Sequence, residues 1–497
     1  MSKLFNHLLC VSLLSICCSG LNAQLFYNNG AQITVNNGGI LAVKTADAEN
    51  ANGDIDVAGY FLVEGDLTNG SSLTGDGAST GLIEVTGDWF NNSVFDADQS
   101  TVLLSGANQL ISGSVTSNDF YNLTLSGTGI KTQTTEARVS NQLDLTSVEL
   151  ATDFYDCVVV NTNPNAILRT NGFVSSLANG ALYRNTQTIA DYLFPVGSSV
   201  GTFRYRPVVF TPEQAGDNRY GVRLVNNDPN LDALPRIEKE DTLCAINPNF
   251  YHHLYRVAGN SAADLAFYFD ETADGNWTRL AHWQNVPQWE DMGNPSTPSL
   301  AGQNGLAVTT WDDFGERPFA LAHLASTVDA GPDQTINAGD VAFLNAVYSG
   351  NNISVIDWTP NNSLNCFDCL TPEARPFGTS LYNIEITDDL ECKAIDSVLI
   401  TIIGSKLLIP DVFSPNGDAV NDGFKTLNPN LDPDNYSLTI YNRWGDQVFA
   451  STDPNEAWDG IYNNVPQDIG VFIFWLDYQF VGETQMRREK GNVTLVR

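Results

Sequence analysis

The runs VEGDLTNG (63–70) and VTGDWFNN (85–92) repeat Gly-Asp, a large apolar residue and then Asn at an offset of 22 residues. Val35 in ITVNNGG and Val57 in IDVAGY keep the same 22-residue step. LLSG and TLSG end at Gly106 and Gly127, 21 residues apart. Each unit reads as a short alternating strand followed by a Gly/Asn/Asp turn. A period in the low twenties, rich in strand and poor in helix, is what one rung of a β-solenoid requires. A lone rung cannot bury its apolar face, whereas stacked rungs can. Asn and Gly at the corners are expected to supply left-handed backbone. The alternative is a large sandwich with regular hairpins. An offset of 21–22 exceeds the spacing of about 8–12 residues usual between sandwich strands, which favours a solenoid over residues 24–179.

Length and composition extend this to the whole chain. At roughly 100–200 residues per domain, 497 residues make three to four domains. Hydrophobic residues reach 42%, enough for ordinary cores, and 40 glycines punctuate short runs of Val, Ile, Thr, Tyr and Phe. Beyond the N-terminus no long segment shows an i, i+3, i+4, i+7 apolar stripe, so the expected class is all-β and multidomain. The net charge is −34, from 58 acidic and 24 basic residues. That balance argues against nucleic acid, which needs clustered Lys and Arg on phosphates, and against anionic membrane surfaces. It suits a soluble exported protein with carboxylates spread over a large surface, or more sharply a surface that attracts divalent cations.

Residues 1–23 read as a secretory signal. Lys3 gives the positive n-region, Leu8 to Ile16 the apolar run, and Leu21-Asn22-Ala23 a cleavage site before Gln24. The run is too short to span a bilayer. Lipidation at Cys17 or Cys18 is the alternative, disfavoured by Ile16 and Cys17 at the position where Gly, Ala or Ser is wanted. Five cysteines remain after the signal: Cys157, Cys244, Cys366, Cys369 and Cys392. An odd number leaves at least one thiol over, so the chain is not a disulfide scaffold.

Over residues 180–325 the period fades into strands broken by Pro and Gly, such as YRPVVFTP (205–212) and LAFYFDET (265–272). Trp277, Trp283, Trp289 and Trp311 make this a Trp-rich, sandwich-like region. Indoles this dense fill a core or stack on sugar rings, and Trp283 and Trp289 are the candidates for stacking. His252 and His253 are adjacent on an expected strand, face opposite ways and share no metal. At DAGPDQTINAGD (329–340) a new unit opens, followed by VIDWTP (355–360), with Trp358 expected on a central strand, and by YNIEITDD (382–389). Residues 326–404 resemble the PKD and related Ig-like modules of bacterial surface proteins, which implies a small sandwich used as spacer or interaction module. Cys366-x-x-Cys369 has no fourth ligand nearby for zinc and no βαβ setting for redox chemistry. One disulfide among Cys366, Cys369 and Cys392 is expected, with the pair left open.

The last region, residues 405–497, alternates cleanly: Leu438, Ile440 and Asn442 share one face, and Thr439 and Tyr441 the other. Four motifs follow in order: FSPNGDAVNDGF (413–424), LTIYNRWGDQVF (438–449), WDG (458–460) and KGNVTLVR (490–497). Together they resemble the gliding motility-associated C-terminal domain of Bacteroidota, the type B sorting domain of the type IX secretion system. Phe413, Pro415, Asn416, Gly417, Asp418, Asn421, Asp422, Trp444, Gly445, Trp458, Asp459, Gly460 and Gly491 are the motif positions that carry the match. Ala419, where the family usually has Gly, and the bulky IGVFIFWLDYQF strand (469–480) depart from it. The resemblance implies an Ig-like sandwich, recognition by the type IX machinery, and a secreted protein that is released or attached at the outer-membrane surface.

FSPNGDAVNDGF also looks like a cation loop, with Asn416, Asp418, Asn421 and Asp422 as a candidate calcium set. It fails the EF-hand template: counted from Asn416, position 5 is Val420, and Asn421 stands where position 6 demands Gly. Asx-turns with positive φ at Gly417 and Gly423 are the competing interpretation. No GxSxG, HExxH, phosphate-binding loop or dinucleotide fingerprint is present. The functional expectation is an adhesin or surface structural protein without catalysis, linked to gliding or polysaccharide attachment. The alternative is a polysaccharide lyase or glycosidase on the solenoid, with Asp66 and Asp88 on successive rungs as the residues to test, although turn formation is the favoured explanation of both.

Overall fold

The computed structural model describes residues 25–75, 81–315, 317–337, 339–376, 378–403, 407–428, 430–480 and 485–497. The expected signal, residues 1–23, lies outside them. Strands make up 53% of the described residues and helices 2%, with a β-solenoid of about seven turns. Two compact units divide between Leu324 and Ala325.

Each of the first rungs contributes three short strands, one to each side of the coil. Leu25–Asn28, Gln32–Val35 and Ile40–Val43 form one rung, and Asp47–Asn50, Asp54–Val57 and Tyr60–Val63 the next. All rung-to-rung pairing here is parallel: Leu25 pairs with Asp47, Leu67 with Trp89, and Trp89 with Ile111. These are the 22-residue steps of the sequence. Strand alternation sends Val57, Phe61, Val63, Leu73, Ile83 and Val85 inward, each fully buried.

For asparagine the corners work differently from the expectation. Asn28, Asn50, Asn69 and Asn91 are not left-handed; they point inward and are buried. Asn28 Nδ2 donates to Asn50 Oδ1 at 3.0 Å, Asn50 Nδ2 to Asn69 Oδ1 at 3.3 Å, and Asn69 Nδ2 to Asn91 Oδ1 at 2.9 Å. The second hydrogen of each amide serves a carbonyl at the same corner: Ser72 O for Asn50 and Val94 O for Asn69. Gly65 and Gly87 also lack positive φ. Glycine stands there because the rungs approach too closely: a Cβ on Gly87 would lie 2.3 Å from Asp66 Oδ1. Left-handed glycines do stand at corners, at Gly30 and Gly38 in the first rung and at Gly127 and Gly129 further on.

The ladder stops above Asn91, where Gly113 occupies the next place and a Cβ would meet the Asn91 carbonyl at 1.7 Å. From there strands Ser117–Leu125 and Glu136–Asp144 run through what had been a corner, and pair with each other along their length with one irregularity between Phe120 and Asn122. The buried Trp89 indole donates to Asn118 Oδ1 at 2.9 Å, which links the two kinds of rung. Lys131, wholly buried at the next corner, is held by the carbonyls of Gly106, Ala107 and Thr128 at 2.5–3.2 Å.

No domain boundary falls at residue 179. Leu182–Thr186 pairs in parallel with Cys157–Val159 on one side and antiparallel with Asn218–Val225 on the other. The same sheet continues through Tyr251–Ala258, Pro318–Leu324, Arg279–Trp283 and Trp289–Asp291. A second sheet, from Tyr192–Phe194 to Ser299–Leu300, covers its inner face. One core runs from Val35 to Leu321 through both parts.

The second unit holds two further cores. In the first, Gln334–Asn337, Lys393–Ile403, Ser380–Asp388 and Ile353–Thr359 form a four-stranded sheet in that order. Trp358 is therefore on an edge strand, not a central one. It is still fully buried, because it faces inward and its indole donates to the Cys369 carbonyl at 2.9 Å, on a loop that closes over it. Cys366 and Cys369 form a disulfide, and Cys157 is a free buried thiol. The second core is built on a five-stranded sheet: Val412–Phe413, Arg487–Leu495, Gly470–Phe480, Leu431–Tyr441 and Gln447–Ser451.

The substitution Asn69→Leu keeps the volume but leaves Asn91 Oδ1 and Val94 O without their buried donor and removes the acceptor of Asn50. At roughly 1–3 kcal/mol for each of these three orphaned groups, stability of the first unit should fall by at least about 3 kcal/mol. The denaturant midpoint should drop with an unchanged m-value. An unchanged midpoint would show that the ladder is incidental to stability.

Candidate functional site

The carboxylates of Asp66 and Asp88 are acceptors in a second, outer stack. Asp47 Oδ1 accepts the Asp66 amide at 2.9 Å, Asp66 Oδ1 the Asp88 amide at 2.7 Å, and Asp88 Oδ1 the Leu110 amide at 2.8 Å. Each carboxylate thus caps the turn of the next rung. This is the turn role weighed against catalysis, and the geometry gives one oxygen of each carboxylate a structural occupation.

A groove of about 610 Å³ opens on the outer face of the antiparallel sheet in the first unit, edged by Tyr251, His253, Arg223, Trp283, Arg317 and Asp232. Alternation along Tyr251–Ala258 turns His252 into the core and His253 toward this groove. His252 Nε2 lies 2.9 Å from the Arg206 carbonyl, and burial pushes its pKa down to about 4, so the ring is neutral and donates. Burial, and then the Asp232 carboxylate 2.7 Å from its hydroxyl, raise the Tyr251 phenol above its ordinary range. Trp283 is half-buried at the groove margin, its ring 5.3 Å from that of Trp289 and nearly perpendicular to it. Trp289 itself is 0% exposed. It belongs to the small core under the hairpin, so of the two candidate stacking residues only Trp283 meets the groove.

The groove wall is anchored from beneath. Asn226 Nδ2 donates to the carbonyls of Val200 and Thr202, each at 2.9 Å, and its Oδ1 accepts from Arg204 Nη1 at 2.6 Å. Arg204 and Arg206 share the fully buried carboxylate of Asp274, at 3.4 Å and 2.9 Å. Removing that carboxylate would leave two buried cations unpaired, a costly state that keeps the wall in one geometry. Sequence reasoning missed this anchor, because residues 204 and 274 are joined only by sheet topology. It also passed over Arg223 and Tyr255, although alternation in GVRLV and HHLYRV places them on the groove face.

In the second unit the sorting motifs meet around one point. Phe413, Phe424 and Trp458 are buried, with the Phe413 ring 5.3 Å from Trp458 and 6.1 Å from Phe424. Phe424 and Trp458 exchange backbone hydrogen bonds of 2.8 and 2.9 Å. Gly460, at φ 76°, leaves no room for a Cβ, which would lie 2.7 Å from Leu495 and 3.2 Å from Pro415. Gly491 likewise makes way for the Phe474 ring. Asp459 accepts the Ile461 amide at 2.9 Å. The Trp444-Gly445 turn differs: Trp444 is 74% exposed beside Arg443.

Three of the four candidate calcium residues, Asn416, Asp418 and Asp422, use their side chains within their own loop, and Asn421 accepts the Ser414 amide with its backbone carbonyl at 2.8 Å. Asp422 accepts the amides of Asn416, Gly417 and Ala419 at 2.8–3.0 Å. Asp418 Oδ1 takes the Val420 amide and Oδ2 the Asn416 side chain, at 2.8 and 3.0 Å. Positive φ falls at Gly417, Ala419 and Asn421, and not at Gly423. N–H groups converge on a carboxylate here, the polarity of an anion nest closed by the chain's own side chain. The amide of Gly417, followed by those of Ala419 and Asn416, holds the Asp422 carboxyl below the usual carboxylate range.

Residues 407–495 match the type IX secretion signal domain family, CHU_C. The chain thus carries a C-terminal sorting domain and is exported by the type IX system to the cell surface or medium. No curated protein matches. Among solved structures, dimeric latent PorU from Porphyromonas gingivalis aligns at 7% identity over 59% of this chain, with a TM-score of 0.13. This chain spans 31% of that one. The FN1–FN3 domains of chicken CNTN1 align at 8% identity over 48% of this chain and 96% of theirs, with a TM-score of 0.11. At those scores neither similarity bears on fold or function.

Asp422→Ala should lower the melting temperature of the sorting domain. Because the folded pKa is depressed, the contribution of Asp422 is complete above the unfolded value of about 3.9 and fades as pH falls through the folded value. The stability gap between native and variant should therefore close at acid pH. Added calcium, at concentrations on the order of 10⁻³ M, should leave the native midpoint unchanged; a rise would make the loop an ion site.

Proposed function

We propose that this is a type IX-exported binding protein of the cell surface, an adhesin that holds extracellular polysaccharide in the groove of the first unit. The observation that carries this is the half-buried Trp283 indole set with His253 and Arg223 in one groove on a sheet continuous with the solenoid. Sugar rings present apolar faces to an indole and hydroxyls to flanking polar groups, and a preformed concave site with a few convergent polar atoms is the usual form of such a pocket. The sandwich of residues 326–403 serves as the PKD-like spacer, and the sorting domain as the address. Binding proceeds without bond cleavage: the acidic pair Asp66 and Asp88 is occupied by backbone amides.

Secreted protein should be found outside the cell, and deletion of residues 405–497 should trap it in the periplasm. On glycan arrays the native chain should retain polysaccharide, and Trp283→Ala should weaken retention about tenfold, the value of one aromatic contact of roughly 1.4 kcal/mol, with its near-ultraviolet spectrum otherwise native. Release of reducing ends or unsaturated sugars from the bound polymer would replace the adhesin by an enzyme.

A further inference from the structure

The groove is one end of a longer surface. Tyr251–Ala258 and Asn218–Val225 lie side by side, with Tyr255 opposite Gly221 and His253 opposite Arg223. On the far side of Gly221 stands Tyr183. Because Gly221 has no side chain, the Tyr183 ring fills its place; a Cβ there would lie 2.4 Å from the ring. The Tyr183 and Tyr255 rings come within 6.0 Å, and Tyr255 stacks on His253 at 6.0 Å with only 8° between planes. A row of half-buried rings thus leads from Tyr183 to the groove where Trp283 stands.

Beside that row runs a second one. Arg219 and Arg223 flank Gly221 on the same face, since alternate residues of a strand share a face. Four residues at about 3.3 Å each set them roughly 13 Å apart. Arg219 Nε donates to Asn185 Oδ1 at 2.7 Å, and Arg223 Nη1 to the Ala178 carbonyl. Among the described residues neither makes an ion pair. In a chain with 58 acidic and 24 basic residues, two guanidinium groups outside any ion pair next to an aromatic row are out of keeping with the surrounding surface, although Asp232 edges the groove with Arg223. Their planar donors match carboxylate or sulfate oxygens. The net negative charge of the chain does not forbid this, because at physiological salt charges beyond about 8 Å are largely screened.

We infer that the ligand is a linear acidic polysaccharide, laid along the sheet so that successive sugars stack on Tyr183, Tyr255 and His253 while their anionic groups meet Arg219 and Arg223. This rests on the groove being a polysaccharide site. It adds that several consecutive sugars are held at once and that their charge is recognised.

Calorimetric titration of the mature full-length protein with uronate oligomers of two, four and six units tests it, with sulfated and neutral oligomers of the same lengths as the other arms. The dissociation constant should fall at least tenfold from dimer to hexamer. Tyr255→Ala should abolish that gain, and Arg219→Gln should weaken the hexamer and flatten its salt dependence. Binding of the sulfated series alone assigns sulfate, of the uronate series alone carboxylate, and either supports an acidic ligand. Equal affinity for neutral oligomers, or no dependence on length in the native protein, overturns the inference. Neutral glycan binding that is lost in Trp283→Ala but indifferent to Tyr255→Ala and Arg219→Gln would do so while leaving the groove a sugar site. Failure of every glycan removes both.

Discussion

Four asparagine amides in a line, at 28, 50, 69 and 91, set the register on which the first unit is built. An amide side chain has both a donor and an acceptor, so identical residues can hydrogen-bond in an indefinite row, and burial makes each missed bond costly. A slip of one residue would turn every inward apolar side chain outward and also break the row. Hydrophobic stacking alone would tolerate small shifts between rungs; the amide row does not. Apolar burial thus supplies most of the stabilisation of the solenoid, while the asparagines fix which rung position faces which. The aspartates at 47, 66 and 88 add a parallel constraint from outside, each holding the backbone of the next rung.

Where the row ends, the fold changes character without a seam. Gly113 interrupts the amides, the Trp89 indole hands over to Asn118, and two long strands replace the cornered rungs. Leu182–Thr186 then accepts a parallel neighbour on one edge and an antiparallel one on the other. The edge of a solenoid is a row of unpaired backbone groups and a hazard for aggregation. Here one edge is consumed by the sandwich. The same junction makes the groove face rigid, because its sheet is anchored in the solenoid and its wall is tied to the Arg204–Asp274–Arg206 cluster.

The solenoid was legible because its signal is a spacing, and spacing survives without knowledge of contacts. The exported class and the sorting domain were legible through motifs that turn out to be spatially joined: Phe413, Trp458, Gly460 and Leu495 meet at one packing point, which explains why these separated stretches occur together. Less legible was whatever depends on which strand lies next to which. An edge strand and a central one look alike when both carry an inward Trp358. Trp283 and Trp289 are likewise equivalent in sequence, yet only one reaches the surface. The corner asparagines were given a backbone role that their composition permits; the inward ladder requires knowing that positions 22 residues apart are stacked. Residues 179 and 180 mark a real change of sequence texture, but texture follows strand direction here and not the limit of a core.

The lowest described amide of the row, Asn28, closes on its own turn: its Nδ2 donates to the Ala31 carbonyl and its Oδ1 accepts the Ala31 amide, both at 3.0 Å. The row is therefore finished at one end by a local turn and at the other by Gly113, and neither terminus depends on how many links lie between. Duplicating a 22-residue segment inside it would reproduce the same amide link and the same apolar face, and would raise the stack by one strand spacing, about 4.8 Å. The length of the stack is then a quantity that evolution can adjust in whole steps, by copying a stretch of gene, with the groove face left untouched.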